Sequence, residues 1–236
     1  MREITVKLYQ YDELPTDKAK EKAREWYRGD DGGLDYDWWD STYSDAVTIA
    51  ALFGLTIKES STKRHVMGRN GKPGRDYAEK RTHIFFTGFW SQGDGACFEG
   101  EYEYKADAIE AVKGYAPVDT KLHEIVEELQ AAQKRADNRV KLSIRHTDRY
   151  CHERSMTMEF PDYADREDAN GDELPESQWL TDTHRKDVSE ALVRFAKWIY
   201  RQLESEHDYL TSDEAIVESI QANEYEFHDD GSRAKC

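Results

Sequence analysis

The stretch that decides the fold is His83-Ile84-Phe85-Phe86-Thr87-Gly88-Phe89-Trp90-Ser91-Gln92-Gly93-Asp94-Gly95-Ala96-Cys97-Phe98-Glu99-Gly100. It reads as a buried strand, a tight polar turn and a returning strand. Gly93 and Gly95 supply positions that tolerate positive φ, and Ser91 or Asp94 can bond back to N–H groups of the turn. Beyond the turn, Phe98, Gly100, Tyr102 and Tyr104 alternate with Glu99, Glu101 and Glu103. That period of two predicts a strand with one face in and one face out. Its three glutamates form an acidic stripe with a spacing of about 6.6–7 Å, two strand rises.

The same turn has functional readings beside the structural one. Trp90, Ser91, Gln92 and Asp94 can form a binding surface at the tip of a hairpin. Alternatively, Ser91 acts as a nucleophile and Asp94 as a base or metal ligand, with His146 or His152 completing a hydrolase site. The chain lacks the nucleophile elbow G-x-S-x-G and any phosphate-loop pattern here, so the catalytic version has no motif behind it.

Working outward, Ile4, Val6 and Leu8 alternate with polar residues and predict a short first strand. Pro15 breaks it, and Thr16 is placed to cap a helix over residues 17–28. Trp38 and Trp39, interleaved with acids in Asp35-Tyr36-Asp37-Trp38-Trp39-Asp40, are either boundary packing or a partner-binding hot spot. A second helix ends at Gly54, and residues 55–58 form a short strand. Residues 61–81 carry seven Lys and Arg against two acids, and read as a basic mobile loop centred on the turn-rich residues 67–74.

Helices are predicted over 105–113 and from an Asp119 cap onward, and an antiparallel strand pair over 140–146 and 156–160. Residues 162–176 read as an acidic insertion. A long amphipathic helix spans 184–207, and Ser212 caps a last helix. Residues 224–227 suit a closing strand, and 231–236 a frayed tail. With strands and helices intermixed, the expected architecture is a single α+β domain over 1–230, mostly antiparallel sheet with helices packed on it.

The chain has 236 residues, of which 35% are charged, and a net charge of −16. Duplex binders need basic surfaces to displace counterions, so this balance argues against direct nucleic-acid binding. It suits solubility, a basic protein partner, or mimicry of nucleic acid. The stretch from Glu204 to Asp230, including Glu206 and Asp208, holds ten acids and no Lys or Arg. No apolar run approaches the ~20 residues of a membrane span. The first residues carry no signal-peptide core. Three widely spaced cysteines imply no disulfide framework and point to a reducing compartment.

Cys97, His146, Cys151 and His152 are the residue types that ligate zinc. Their spacing matches no standard zinc module and contains no C-x-x-C pair, so no metal and no cofactor is expected. His146, at an inward strand position, reads as a core histidine. Cys151 and His152 are neighbours on an extended segment and point apart, which disfavours a nucleophilic pair.

Three segments stand together: Tyr11-Asp12-Glu13-Leu14, Phe86-Thr87-Gly88-Phe89-Trp90-Ser91-Gln92-Gly93-Asp94-Gly95-Ala96, and Asn223-Glu224-Tyr225-Glu226-Phe227. With these, the chain resembles a family of uncharacterised tailed-bacteriophage and prophage proteins. Some relatives are loosely labelled antitoxin-like. The resemblance implies action in the bacterial cytoplasm and membership of the accessory pool that holds inhibitors of host defence. The expectation is therefore a non-enzymatic protein that occupies the basic groove of a host or mobile-element protein, such as a CRISPR effector. Trp38, Trp39, the tip residues, Glu99, Glu101, Glu103, Glu204, Glu206 and Asp208 are its candidate contacts. A hydrolase built on the turn, or an antitoxin, are the alternatives.

Overall fold

A computed structural model describes residues 6–29, 37–66, 75–161, 171–176 and 179–234. The chain is α+β, with antiparallel strand pairing throughout the described residues. It divides into two compact units: residues 1–40 with 203–236, and residues 41–202. The predicted turn belongs to the second.

In the first unit, α1 (Asp17–Arg28) starts at Thr16, whose hydroxyl accepts from Ala19 N at 3.1 Å. α6 (Asp213–Ala222) starts likewise at Ser212, which accepts from Ala215 N. Each cap satisfies an N–H that the first helical turn leaves unpaired, worth about 1 kcal/mol. Tyr11, Leu14, Ala19, Ala23, Tyr27, Ile216, Ile220 and Phe227 form the core. Trp26 meets Tyr225 and Phe227 edge to face at 5.3 and 5.7 Å.

Both ends of the described chain differ from expectation. Val6 and Leu8 are 55% and 39% exposed, and among the described residues of the predicted first strand, which exclude Ile4, pairing is confined to a bridge from Tyr9 to Phe227. Residues 231–234 are not frayed: Phe227 also bridges Arg233, Ala234 is buried, and the Arg233 guanidinium lies over the Tyr225 ring. Gly231 makes this return feasible, because at φ +82 a Cβ there would lie 2.1 Å from the Ala19 carbonyl oxygen.

The second unit is organised by a four-stranded sheet in the order β1 (Leu55–Ile57), β6 (Gly100–Tyr102), β7 (Leu142–His146), β8 (Met156–Glu159). Its buried face carries Leu55, Ile57, Tyr102, Leu142 and Ile144. The opposite face carries Thr56, Glu101, Ser143 and Glu159 in one register row. This alternation is what an antiparallel sheet with one solvated face requires.

Helices α2 (Asp40–Leu52), α3 (Ala108–Tyr115), α4 (Thr120–Arg135) and α5 (Asp182–Leu210) supply the apolar side chains of this core. Fully buried Phe195 on α5 lies 4.9 Å from Phe53 and 5.9 Å from Phe98, and stacks on Trp198. Burying a side chain of that size contributes roughly 1.5–3 kcal/mol. Asp119 caps α4 through Leu122 N and also accepts from the Trp198 indole at 2.8 Å. Gln133 on α4 is fully buried and satisfied: its amide donates to the Val140 carbonyl at 2.7 Å and to the Tyr102 hydroxyl, and its oxygen accepts from Val140 N.

Two further strand pairs complete the unit. β2 (Glu59–Val66) pairs with β3 (Arg75–Thr82), and β4 (Ile84–Phe86) pairs with β5 (Ala96–Phe98). The basic region is therefore chiefly a hairpin rather than a mobile loop; its centre, residues 67–74, lies outside the described residues. Most of the acidic insertion, 162–170, also lies outside them.

Three residues between strands tie these pairs together. Lys58 N donates to Glu99 O at 2.8 Å, Glu99 N to His83 O at 3.0 Å, and His83 N to Lys58 O at 2.9 Å. This closed triangle sits where β1 gives way to β2, β3 to β4 and β5 to β6. All three strand pairs radiate from it. The predicted continuous strand through residues 98–104 is thus two strands with a change of partner at Glu99.

Candidate functional site

The hairpin β4–β5 carries the turn outward from that junction. Asp94 Oδ2 accepts from Trp90 N at 2.9 Å and Ser91 N at 2.6 Å, and Asp94 N donates to Ser91 O. Thr87 N donates to Gly95 O at 3.1 Å, closing the base of the turn. Phe89 stacks on Phe86 and leans against Tyr200 of α5, whose hydroxyl donates to Gly88 O at 3.2 Å. These contacts hold a turn whose outermost large side chain, Trp90, is 82% exposed. Ser91 and Gln92 are exposed beside it.

The carboxylate of Asp94 thus holds the turn closed. His152 Nδ1 accepts from Arg154 N, and His146 is engaged by Ser155 and Cys151. The catalytic assembly of Ser91, Asp94 and a histidine does not form among these contacts.

The acidic stripe is divided. Glu101 and Glu103 are exposed and border a groove of about 610 Å³ on the open sheet face, lined also by Thr56, Lys105, Lys141 and Pro161. Glu103 lies 3.5 Å from Lys141. Glu99 turns inward instead, with 17% of its side chain exposed. Its Oε2 accepts from Lys58 Nζ at 3.0 Å and His83 Nδ1 at 2.7 Å, and Oε1 from His146 N at 3.4 Å. Burial alone would raise its pKa. The hydrogen bonds from Lys58, His83 and the His146 backbone outweigh that and hold it below the ordinary carboxylate value.

Trp38 and Trp39, in the first unit, are half-buried, 5.7 Å apart edge to face, with Trp38 5.4 Å from His207. Glu204 and Glu206 are half-buried and Asp208 is exposed. The acids of that unit are partly matched by α1: Lys22 pairs with Asp230 at 2.5 Å, and Arg28 with Asp213. The absence of Lys and Arg from 204–230 therefore does not describe the local field.

Behind the turn lies a side-chain cluster that sequence spacing does not reveal. Cys97 on β5, His146 at the end of β7 and Cys151 in the following loop come together, with all three donor atoms within 4.8 Å of one another. Thr87 donates its hydroxyl to Cys151 O at 3.3 Å, joining the turn to this loop. Gly95 permits the approach, since a Cβ there would lie 3.0 Å from the His152 ring. Glu153, buried below, receives Lys197 at 3.2 Å and faces His152 at 3.2 Å. Ser155, Glu153 and Lys197 are site residues that no motif announced. Burial pushes the Cys97 thiol up to about 12, with Cys151 adding to the rise, and burial raises Cys151 too. Thiols held protonated at neutral pH are poor nucleophiles, which counts against cysteine catalysis here.

These features define an α+β protein with a solvated sheet face, a stiffened aromatic tip and a Cys–His cluster beneath it. The chain belongs to the family described as a domain of unknown function (DUF8835), whose model matches residues 38–213. Comparison with curated proteins and with solved structures returns no match. Among the described residues, no helix is long and apolar enough to cross a membrane.

Proposed function

We propose that this chain is a non-enzymatic binding protein that docks on a basic protein surface, with the tip at Trp90 as its anchor. The observation that carries this reading is the 82% exposure of Trp90 on a turn pinned by Asp94 and Tyr200. A large aromatic costs little side-chain entropy to immobilise when its backbone is already fixed, and Trp is enriched among binding hot spots. The net charge of −16, with Glu101 and Glu103 exposed on the open sheet face, supports a partner of opposite sign.

The resemblance to tailed-phage and prophage proteins supports the finer reading: a phage accessory protein acting in the bacterial cytoplasm on a host or mobile-element protein that handles nucleic acid. A CRISPR effector is the type of target whose basic groove such a surface would fill, and a toxin is the corresponding target of an antitoxin.

Affinity purification from infected cells, run in parallel with the wild type and Trp90→Ala, tests the proposal. A basic protein retained by the wild type, weakened by added salt and depleted on the variant is the expected outcome. A partner retained equally by both, or indifferent to salt, would overturn it.

A further inference from the structure

The geometry points to a zinc-binding site at Cys97 Sγ, Cys151 Sγ and His146 Nε2, beneath the turn that presents Trp90. Two thiols and an imidazole form a soft N/S set, which favours zinc over magnesium or calcium.

Spacing agrees with the size of the ion. With Zn–S about 2.3 Å and Zn–N about 2.0–2.1 Å, donors of a tetrahedral site lie about 3.6–3.8 Å apart. Here all three donors lie within 4.8 Å of one another, and Cys151 Sγ is 4.0 Å from His146 Nε2. Side-chain adjustment of up to about 1 Å would seat the ion.

The surrounding hydrogen bonds set the histidine for this role. Ser155 Oγ lies 2.7 Å from the His152 carbonyl oxygen, which can only accept, so the hydroxyl proton goes there. Ser155 Oγ then accepts from His146 Nδ1 at 3.2 Å and from His152 N at 3.2 Å. With Nδ1 protonated, the lone pair of His146 is on Nε2, the nitrogen facing Cys151. Fixing a ligating imidazole through its other nitrogen is the usual outer-shell arrangement of zinc sites. Ser155 is therefore a positioning residue.

The ligands come from three segments: the hairpin strand β5, the end of sheet strand β7, and the loop joined to the turn through Thr87. An ion would bind these segments to one another at the foot of the exposed tip. Glu153 is held by Lys197, so the fourth vertex falls to water, reached past the half-buried His146 and Cys151. This site goes beyond the docking proposal and does not depend on it.

The test uses the full chain, prepared reduced and then dialysed against Zn²⁺ or Co²⁺. One equivalent of zinc is expected, together with the thiolate-to-cobalt charge-transfer band and strong visible bands of a tetrahedral cobalt site. Cys151→Ser and His146→Gln abolish stoichiometric binding, whereas Cys236→Ser retains it. Ser155→Ala weakens zinc affinity by about 10–100-fold while leaving the stoichiometry at saturation unchanged. Circular dichroism identifies variants that keep the fold, and only those are scored. Trace zinc on a folded wild type, a cobalt spectrum lacking the thiolate band, or binding that survives both ligand substitutions would overturn the site. So would isolation of Cys97 and Cys151 as a disulfide from cells grown with zinc.

Discussion

Replacing Glu99 with glutamine separates a structural acid from a partner-facing one. In the wild type the carboxylate accepts from Lys58, His83 and the backbone of His146 at the point where three strand pairs diverge. Glutamine keeps the shape but loses the charge, and its amide N–H₂ must face one of these donors. Hydrogen bonds to charged groups contribute about 1.5–3 kcal/mol each. The Lys58 contribution is discounted towards zero because that side chain is 57% exposed. His83, with 17% of its side chain exposed, and the displaced His146 N–H carry most of the effect. The expected loss is about 2 kcal/mol, or about 4–8 °C in Tm for a chain of this size.

The pH dependence has a definite sign. The folded pKa of Glu99 is lowered, so its stabilisation is complete above the unfolded glutamate value of about 4.3 and is lost as pH falls through the folded value. Thermal unfolding of both proteins from pH 7 down to pH 3 should show a gap that is full at pH 7 and closes on the acid side. An unchanged Tm at pH 7, or a gap independent of pH, would refute the reasoning. Partner affinity of the variant at temperatures where it is folded should match wild type.

Other substitutions test neighbouring parts of the account. Gly100→Ala places a Cβ 2.4 Å from the Thr56 carbonyl oxygen across the β1–β6 pair, and a loss of about 3 kcal/mol or more is expected in denaturant unfolding. Gln133→Ala leaves the buried Val140 N–H and C=O without their side-chain partner, costing about 2–5 kcal/mol by the same measurement. Asp94→Ala removes two acceptor contacts to the turn backbone; we expect faster amide exchange at Trp90 and Ser91 with little change in global stability. Reversing Glu101 and Glu103 to lysine should leave the sheet intact and flatten the salt dependence of partner binding, whereas an unchanged salt slope would exclude this face.

What the sequence shows of this structure follows the range of the forces involved. Capping is local chemistry, so Thr16, Asp119 and Ser212 were legible as helix starts, and α1 begins and ends as predicted. The β7–β8 pair was legible because its inward residues alternate. The β2–β3 hairpin was not: Glu59, Ser61, Thr62 and Lys63 on one strand and Ala78, Lys80 and Arg81 on the other are exposed, so no face is marked by apolar residues. Alternation through Phe98, Gly100 and Tyr102 identified buried positions correctly. It could not show that the chain changes partners at Glu99, because that break is made by backbone bonds to Lys58 and His83, distant in sequence. The Cys97–His146–Cys151 cluster was hidden for the same reason. Its residue types stand in the sequence, but only the pairing of β4 with β5 and of β6 with β7 brings Cys97 to the other two.

The most direct measurement of the central claim is the affinity of the captured partner for wild type and for Trp90→Ala, by calorimetry at fixed salt. At 82% exposure, Trp90 contributes little to folding, so the variant should unfold at the wild-type temperature. Binding at least about tenfold weaker is expected, the loss of a hot-spot side chain worth about 2 kcal/mol. Wild-type affinity in a variant of unchanged stability would contradict it.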